Sequence, residues 1–207
     1  MKHADEASPV QGDVIWPEGV TMLPVKPEIL PWSENLIAAT LARQIFHGKH
    51  LVVVPNCSWP GSECDLLVVT PSLRIIDVEI KISRADLRAD TKKEKWYHGW
   101  NWRTDGHYDK TKRKPRQWPR RVWKHYYCLP KDMWDATLLT KLPPVSGVLL
   151  MYNHRVSGAF HVSVERRATP DRTADRISTE DAVDIARLAS LRMWAAYQLL
   201  DDRKRDA

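Results

Sequence analysis

Two apolar runs, Asp65–Thr70 and Arg74–Lys81, are separated by only Pro71, Ser72 and Leu73. Three intervening residues leave room for a tight turn and nothing else, so the runs predict an antiparallel hairpin. A turn symmetric about Ser72 sets Thr70 opposite Arg74 and Asp65 opposite Glu79. Opposed side chains share one face of an antiparallel pair, with Cβ atoms roughly 5 Å apart. Lys81, two residues past Glu79, falls on that face too. Val78 and Ile80 point the other way, into the core. The hairpin therefore gathers Asp65, Glu79 and Lys81 at one end, with Asp77 on the same face as a supporting acid.

Two close carboxylates repel unless a cation intervenes. Carboxylate oxygens with a backbone carbonyl suit Mg²⁺, which keeps waters in its remaining positions. Such an ion can clamp a phosphate oxygen, activate water and stabilise a leaving oxygen. Lys81 would orient or deprotonate the attacking water, or offset charge on the phosphorane. The competing reading is a salt bridge on a sheet surface, with Lys81 neutralising one acid. The preceding strand, the tight turn, the alternation and a following helix all favour the site.

The rest of the chain reads as an α/β domain around a central mixed β-sheet flanked by helices. Ser33 caps a helix over 33–46, and Leu51–Pro55 is a buried strand. Ser83 opens a helical stretch to Lys95, with Asp86 placed to reach back as in a capping box. Strands follow at Val122–Leu129, Val148–Tyr152 and Phe160–Glu165. Ser178 caps a last helix whose stripe is Ala182, Ile185, Ala186, Ala189, Met193, Ala196 and Leu200. Residues 1–31 carry five prolines and predict an extended arm before a single domain over 32–207.

Charge is unevenly spread. Twelve Lys and Arg against three acids between Lys92 and Lys124 give that segment +9, so the remainder of the +6 chain sums to −3. A concentrated basic segment is the footprint of a polyanion partner. Lys92, Lys93, Arg103, Lys110, Lys112, Arg113, Lys114, Arg116, Arg120 and Arg121 are the candidate phosphate contacts. Trp100, Trp102, Trp118 and Trp123 are interleaved with them. Tryptophans stack on unpaired bases, so Trp102 and Trp118 predict a preference for single-stranded or branched DNA over duplex. The alternative is a solvated loop whose tryptophans pack on the body.

Cys57, Cys64 and Cys128 are odd in number and match no zinc spacing, so they read as buried free thiols. The eight histidines form no HNH or HExxH pattern; they read as structural or surface residues, with His98 and His107 as minor phosphate contacts. No stretch is apolar enough for a membrane span, and the polar N-terminus lacks a signal-peptide core, which predicts a cytoplasmic protein.

The run Glu63-Cys-Asp-Leu-Leu-Val-Val, followed by Asp77-Val-Glu-Ile-Lys-Ile-Ser-Arg-Ala-Asp-Leu-Arg-Ala-Asp, resembles the PD-(D/E)xK nuclease superfamily. More narrowly it resembles the MmcB-like DNA repair proteins and their phage relatives. The likeness extends to His125-Tyr-Tyr-Cys-Leu-Pro130 and Gly147-Val-Leu-Leu-Met, covering about residues 33–200. It implies a restriction-endonuclease-like core and a metal-dependent DNA nuclease of repair, recombination or phage DNA processing. Asp65, Glu79 and the carbonyl of Ile80 would hold Mg²⁺, with Mn²⁺ as a substitute, and Lys81 would be the catalytic lysine. A first-helix Glu often joins such sites. Glu34 is the candidate here, or it is simply an acid favoured by the helix dipole. Ser83, Asp86, Asp90 and Lys93 share a helix face beside the site, with Asp86 alternatively only a cap. The basic, tryptophan-rich insertion at about 98–123 is longer than in shorter members. A catalytically weak DNA-binding module and an RNA-directed nuclease are the competing functions, and the sequence leaves a homodimer open.

Overall fold

A computed structural model describes residues 32–90, 92–99, 104, 107, 109–154 and 158–205. The arm at 1–31, Trp100, Trp102, Arg103 and the side chain of Lys110 lie outside the described residues. Helix α1 (Glu34–Gln44) leads into a meander of β1 (Val52–Cys57), β2 (Cys64–Val69) and β3 (Ile75–Ile80). Short helix α2 (Arg84–Asp90) follows, then β4 (Lys124–Pro130), β5 (Gly147–Asn153), β6 (Phe160–Arg166) and the long helix α3 (Thr179–Arg205). The six strands lie side by side in chain order. β3, β4 and β5 run parallel, while the β1–β2, β2–β3 and β5–β6 pairs are antiparallel.

The hairpin has the expected register: Leu66 pairs with Val78, Leu67 with Asp77 and Val69 with Ile75. Leu73 N–H donates to Thr70 O at 2.9 Å, and Leu73 takes φ 57°. This is a type I turn followed by a left-handed residue, with Pro71 at the position where its fixed φ is favourable. Thr70 Oγ1 accepts from Arg74 N–H at 3.0 Å and closes the turn.

Alternation along β3 divides the interior. Val78 and Ile80 join Leu66, Ile37 and Leu41 in an apolar cluster under α1. The opposite face holds two clusters. One packs Val54, Leu67, Val69 and Ile75 against Ile177, Ala182 and Ile185 beneath α3. The other packs Leu87, Trp96, Tyr127, Leu129 and Leu150 around α2. The C-terminal half of β3 runs between these two, and there Asp77 and Glu79 are buried. A charged seam thus separates two apolar clusters on one sheet face.

Ser33 and Ser178 cap their helices as expected, accepting from Leu36 N–H and Asp181 N–H. The helix begun at Ser83 stops at Asp90, and a 3₁₀ turn at Glu94–Trp96 follows instead of a continuous helix to Lys95. The α3 stripe is buried only at its start. Ala182 and Ile185 are in the core, whereas Met193 and Leu200 are exposed together with Leu191, Trp194, Tyr197 and Leu199. At 1.5 Å rise per residue, 27 residues extend about 40 Å, longer than the three-strand meander they cover. Gly147 faces Tyr126 in the β4–β5 ladder, and a Cβ there would lie 2.2 Å from the tyrosine ring, so only glycine fits.

Candidate active site

The cluster begins with Asp65 near the start of β2. Its Oδ2 accepts from Ile80 N–H at 2.8 Å and from Lys81 Nζ at 3.1 Å. Lys81 Nζ also donates to Glu79 Oε2 at 2.6 Å. One ammonium thus bridges the two carboxylates that the hairpin opposes. Lys93 Nζ reaches the same Glu79 oxygen at 3.0 Å and Asp90 Oδ1 at 2.9 Å. Lys95 Nζ approaches Glu79 Oε1 at 2.7 Å and Asp77 Oδ2 at 3.4 Å. Glu79 therefore carries a lysine on every side.

Asp90 closes the seam from the end of α2. Its Oδ2 accepts from Tyr127 Oη at 2.7 Å and from Trp96 Nε1 at 3.4 Å. His125 lies below Lys95, with Nε2 at 3.2 Å from Lys95 Nζ and Nδ1 at 2.9 Å from Ser146 Oγ. An ammonium only donates, so Nε2 accepts and the ring proton sits on Nδ1. Burial, then Lys95, holds His125 well below the usual histidine range, so it is neutral. Asp77, His125 and Ser146 are all fully buried. They make a structural relay beneath the site rather than an accessible nucleophile.

The electrostatics follow from these contacts. Burial and then the Glu79 charge raise Asp65 above its ordinary value, against the pull of Lys81. Glu79 is also penalised by burial, but Lys95 and Lys81 outweigh that and hold it ionised, well below the carboxylate range. Burial lifts Asp77 to about 6, with Lys95 opposing and Glu79 assisting. Burial alone would lower Lys81, yet Glu79 and Asp65 hold it above the ordinary lysine value. Of the roles expected for Lys81, proton acceptor is disfavoured here, and orientation and charge offset are favoured.

Donor chemistry and charge decide whether a divalent ion suits this centre. Asp65, Asp77, Glu79 and Asp90 oppose Lys81, Lys93 and Lys95, four negative charges against three positive. Asp77 Oδ1, Glu79 Oε1 and Asp90 Oδ1 are buried acceptors without a well-aligned hydrogen bond. For the last two, the short lysine contacts are ion pairs with poor angles. Among the described residues, no group of three His, Cys, Asp or Glu side chains converges as a ready-made metal cage. The fit is to an open site: Asp65, 21% exposed at its side chain, and Glu79 would hold the ion beside Ile80. Waters and substrate would complete it, as Mg²⁺ tolerates.

Other expected residues divide. Glu34 is exposed in the first turn of α1, on the Val78–Ile80 side of the sheet, and does not join the cluster. Asp86 N–H donates to Ser83 Oγ at 3.1 Å, as a capped first turn requires. Lys93, expected at phosphate, is engaged by Glu79 and Asp90. Arg113 pairs with Glu94 at 2.5 Å and lies 3.8 Å over the Tyr97 ring. Lys112 is exposed and pairs with Asp109 at 3.6 Å. Arg121 lies over Trp59, and Lys92, Lys114 and Arg120 are exposed.

Trp118 is half-buried and donates Nε1–H to Thr169 O at 3.0 Å, which fastens the edge of its ring to the body. Trp123 packs against the α1-side core. The insertion is also tied down at its second half: His98 N–H donates to Lys114 O and Arg116 N–H to Trp96 O. The three cysteines are buried free thiols, as expected.

Lys95 and Tyr127 were not legible as site residues. Lys95 looks like one member of a solvated charge run, and only its adjacency to Trp96 hints at burial. Fold and cluster define an α/β domain with a six-stranded mixed sheet and a buried acid–lysine centre. No known protein-family profile and no curated protein matches the sequence. A protein of unknown function from Silicibacter pomeroyi is similar in structure at 19% identity and a TM-score of 0.49, over 84% of this chain and 96% of that one. Among the described residues no helix is long and apolar enough to cross a membrane.

Proposed function

We propose that this chain is a metal-dependent nuclease that hydrolyses DNA phosphodiesters, on a restriction-endonuclease-like core. The observation that carries the reading is the bridge from Lys81 to both Asp65 and Glu79 at the open end of the hairpin. In support, a helix and an antiparallel meander precede the site, and α2 then leads to a strand parallel to β3. A bound Mg²⁺ or Mn²⁺ would supply Lewis-acid polarisation of the phosphate and an acidified water. The protein's own groups do the rest. Asp65 orients through its bond to Ile80 N–H, Lys81 offers positive charge to the developing phosphorane, and Asp90 and Lys93 hold Glu79 in place. DNA rather than RNA rests on the sequence resemblance, as does a role in repair, recombination or phage DNA processing.

A second reading has one observation in its favour. Glu79 is fully buried and surrounded by three lysines, as in a salt-bridged core that no longer exchanges ligands. On that reading the domain binds DNA without cutting it. Incubation with single-stranded, duplex and branched DNA, and with RNA, in Mg²⁺, Mn²⁺ or EDTA separates the two. Metal-dependent cleavage lost in Asp65→Ala, with melting unchanged, supports the nuclease. Binding without cleavage in any metal supports the module, and cleavage at full rate in Asp65→Ala removes the site.

A further inference from the structure

The β1–β2 loop and the chain after α2 flank a half-open cavity of about 190 Å³. Pro60, Gly61 and Ser62 form one wall, Lys95 and Tyr97 another, and Arg116 and Arg120 the rim. Its charge is one-sided. Lys95 is neutralised by Asp77 and Glu79. Glu94, the acid at the cavity, is taken by Arg113. Arg116 and Arg120 have no carboxylate partner among the described residues. Arg116 Nε is buried and has no hydrogen-bond partner among the described residues. Burying a guanidinium N–H with no acceptor is costly, and an ordered water or an anion can supply one. Arginine presents its donors in a fixed fork that matches two phosphate oxygens.

We propose that this cavity is a phosphate subsite, in which Arg116 and Arg120 hold a phosphate group of the nucleic-acid strand beside the cleavage centre. It rests on the DNA-cleaving reading for its substrate. Lys95 joins the two places. It lines the cavity while its ammonium, buried within, meets Glu79 Oε1, and Asp65 and Lys81 gather on the Oε2 side. A strand crossing the centre would leave one phosphate at Lys81 and set a neighbouring or terminal phosphate in the cavity. The backbone of the wall is fixed by Gly61 N–H to Ser58 O at 2.9 Å and Arg116 N–H to Trp96 O at 2.7 Å, so the arginines are carried on an ordered frame.

Calorimetric titration of the metal-free protein with inorganic phosphate tests the subsite directly. Wild type should bind, and Arg116→Met and Arg120→Met should each weaken binding at least tenfold. Lys141→Met, at an exposed lysine away from the cavity, should leave it unchanged. Arg120 is exposed, so its variant serves should Arg116→Met melt early. No phosphate binding by wild type, or equal binding by wild type and both arginine variants, overturns the proposal, as does an equal loss in Lys141→Met. A second arm uses single-stranded oligonucleotides with 5′-phosphate, 3′-phosphate or free hydroxyl ends, in EDTA. Equal loss across all three in Arg116→Met assigns an internal phosphodiester, and loss confined to one phosphorylated end assigns a terminal phosphate. Oligonucleotides that bind neither protein, with the phosphate result intact, remove the DNA reading and leave the subsite standing. Oligonucleotide binding with no arginine-sensitive phosphate binding does the reverse.

Discussion

Lys95 Nζ lies 2.7 Å from Glu79 Oε1, and both side chains are buried. Lys95, together with Lys81, holds Glu79 ionised against its burial. Removing one member of a buried pair leaves an uncompensated charge, which costs about 3–5 kcal/mol. Lys95→Met should therefore lower unfolding free energy by about that amount in denaturant titrations. Adding Glu79→Gln to it should recover part of the loss. Equal stability of Lys95→Met and wild type would show that Lys95 is a bystander.

Lys81 permits a sharper separation of roles. It stays protonated through neutral pH because Glu79 and Asp65 outweigh its burial. Lys81→Ala should reduce turnover about a hundredfold or more, the scale of lost transition-state charge stabilisation. DNA affinity should fall little, since one phosphate contact among many is removed. Single-turnover cleavage and equilibrium binding on the same oligonucleotide check both. A parallel fall in rate and affinity would make Lys81 a binding residue. The rate profile should also show no limb from Lys81 at neutral pH.

Asp77 gives the centre a pH signature. Its folded value is raised to about 6, from an ordinary carboxylate value near 4. The folded state then holds a proton that the unfolded state has released. Stability from this group falls as pH rises from about 4 to 6, by up to about 3 kcal/mol. Glu79 acts in the opposite sense. Its depressed value adds stability above its unfolded pKa, and that is lost as pH falls through the folded one. Asp77→Asn removes only the first contribution. The stability difference between variant and wild type should shift in the variant's favour between pH 4 and 6. A difference independent of pH would mean that Asp77 titrates normally.

The sequence made the hairpin legible because a three-residue turn admits one symmetric register, and Leu66–Val78 and Leu67–Asp77 follow from it. It also made legible that Asp65, Glu79 and Lys81 meet. Helix spacing also set Asp90 and Lys93 beside the site, but Lys95 was hidden by chain reversal. After Asp90 the helix stops, and the 3₁₀ turn at Glu94–Trp96 brings Lys95 back under Glu79. Nothing in the spacing of Lys92, Lys93 and Lys95 separates exposed Lys92 from buried Lys95. The α3 stripe misled for a different reason. Periodicity shows that a face is apolar but not how far the body extends beneath it, and here cover ends near Ala189.

Trp118 and Trp102 supply the last test, since the tryptophans of the basic insertion were expected to act alike. Trp118 donates to the Thr169 carbonyl and is half-buried, so its ring belongs to the body. Trp118→Ala should lower stability by about 3 kcal/mol, from lost packing and an orphaned carbonyl. The ratio of single-stranded to duplex affinity should stay as in wild type, because no base loses a stacking partner. Trp102→Ala should bring that ratio toward one, since stacking is worth roughly 1–3 kcal/mol per unpaired base. Fluorescence anisotropy on matched single-stranded and duplex oligonucleotides, with a melting curve for each variant, reads both quantities. If Trp118→Ala changed the ratio without lowering the melting temperature, the bond to Thr169 would not be what holds the ring. If Trp102→Ala left the ratio untouched, the insertion would contact nucleic acid through charge alone. In that case log affinity should fall with log salt at the same slope for every substrate.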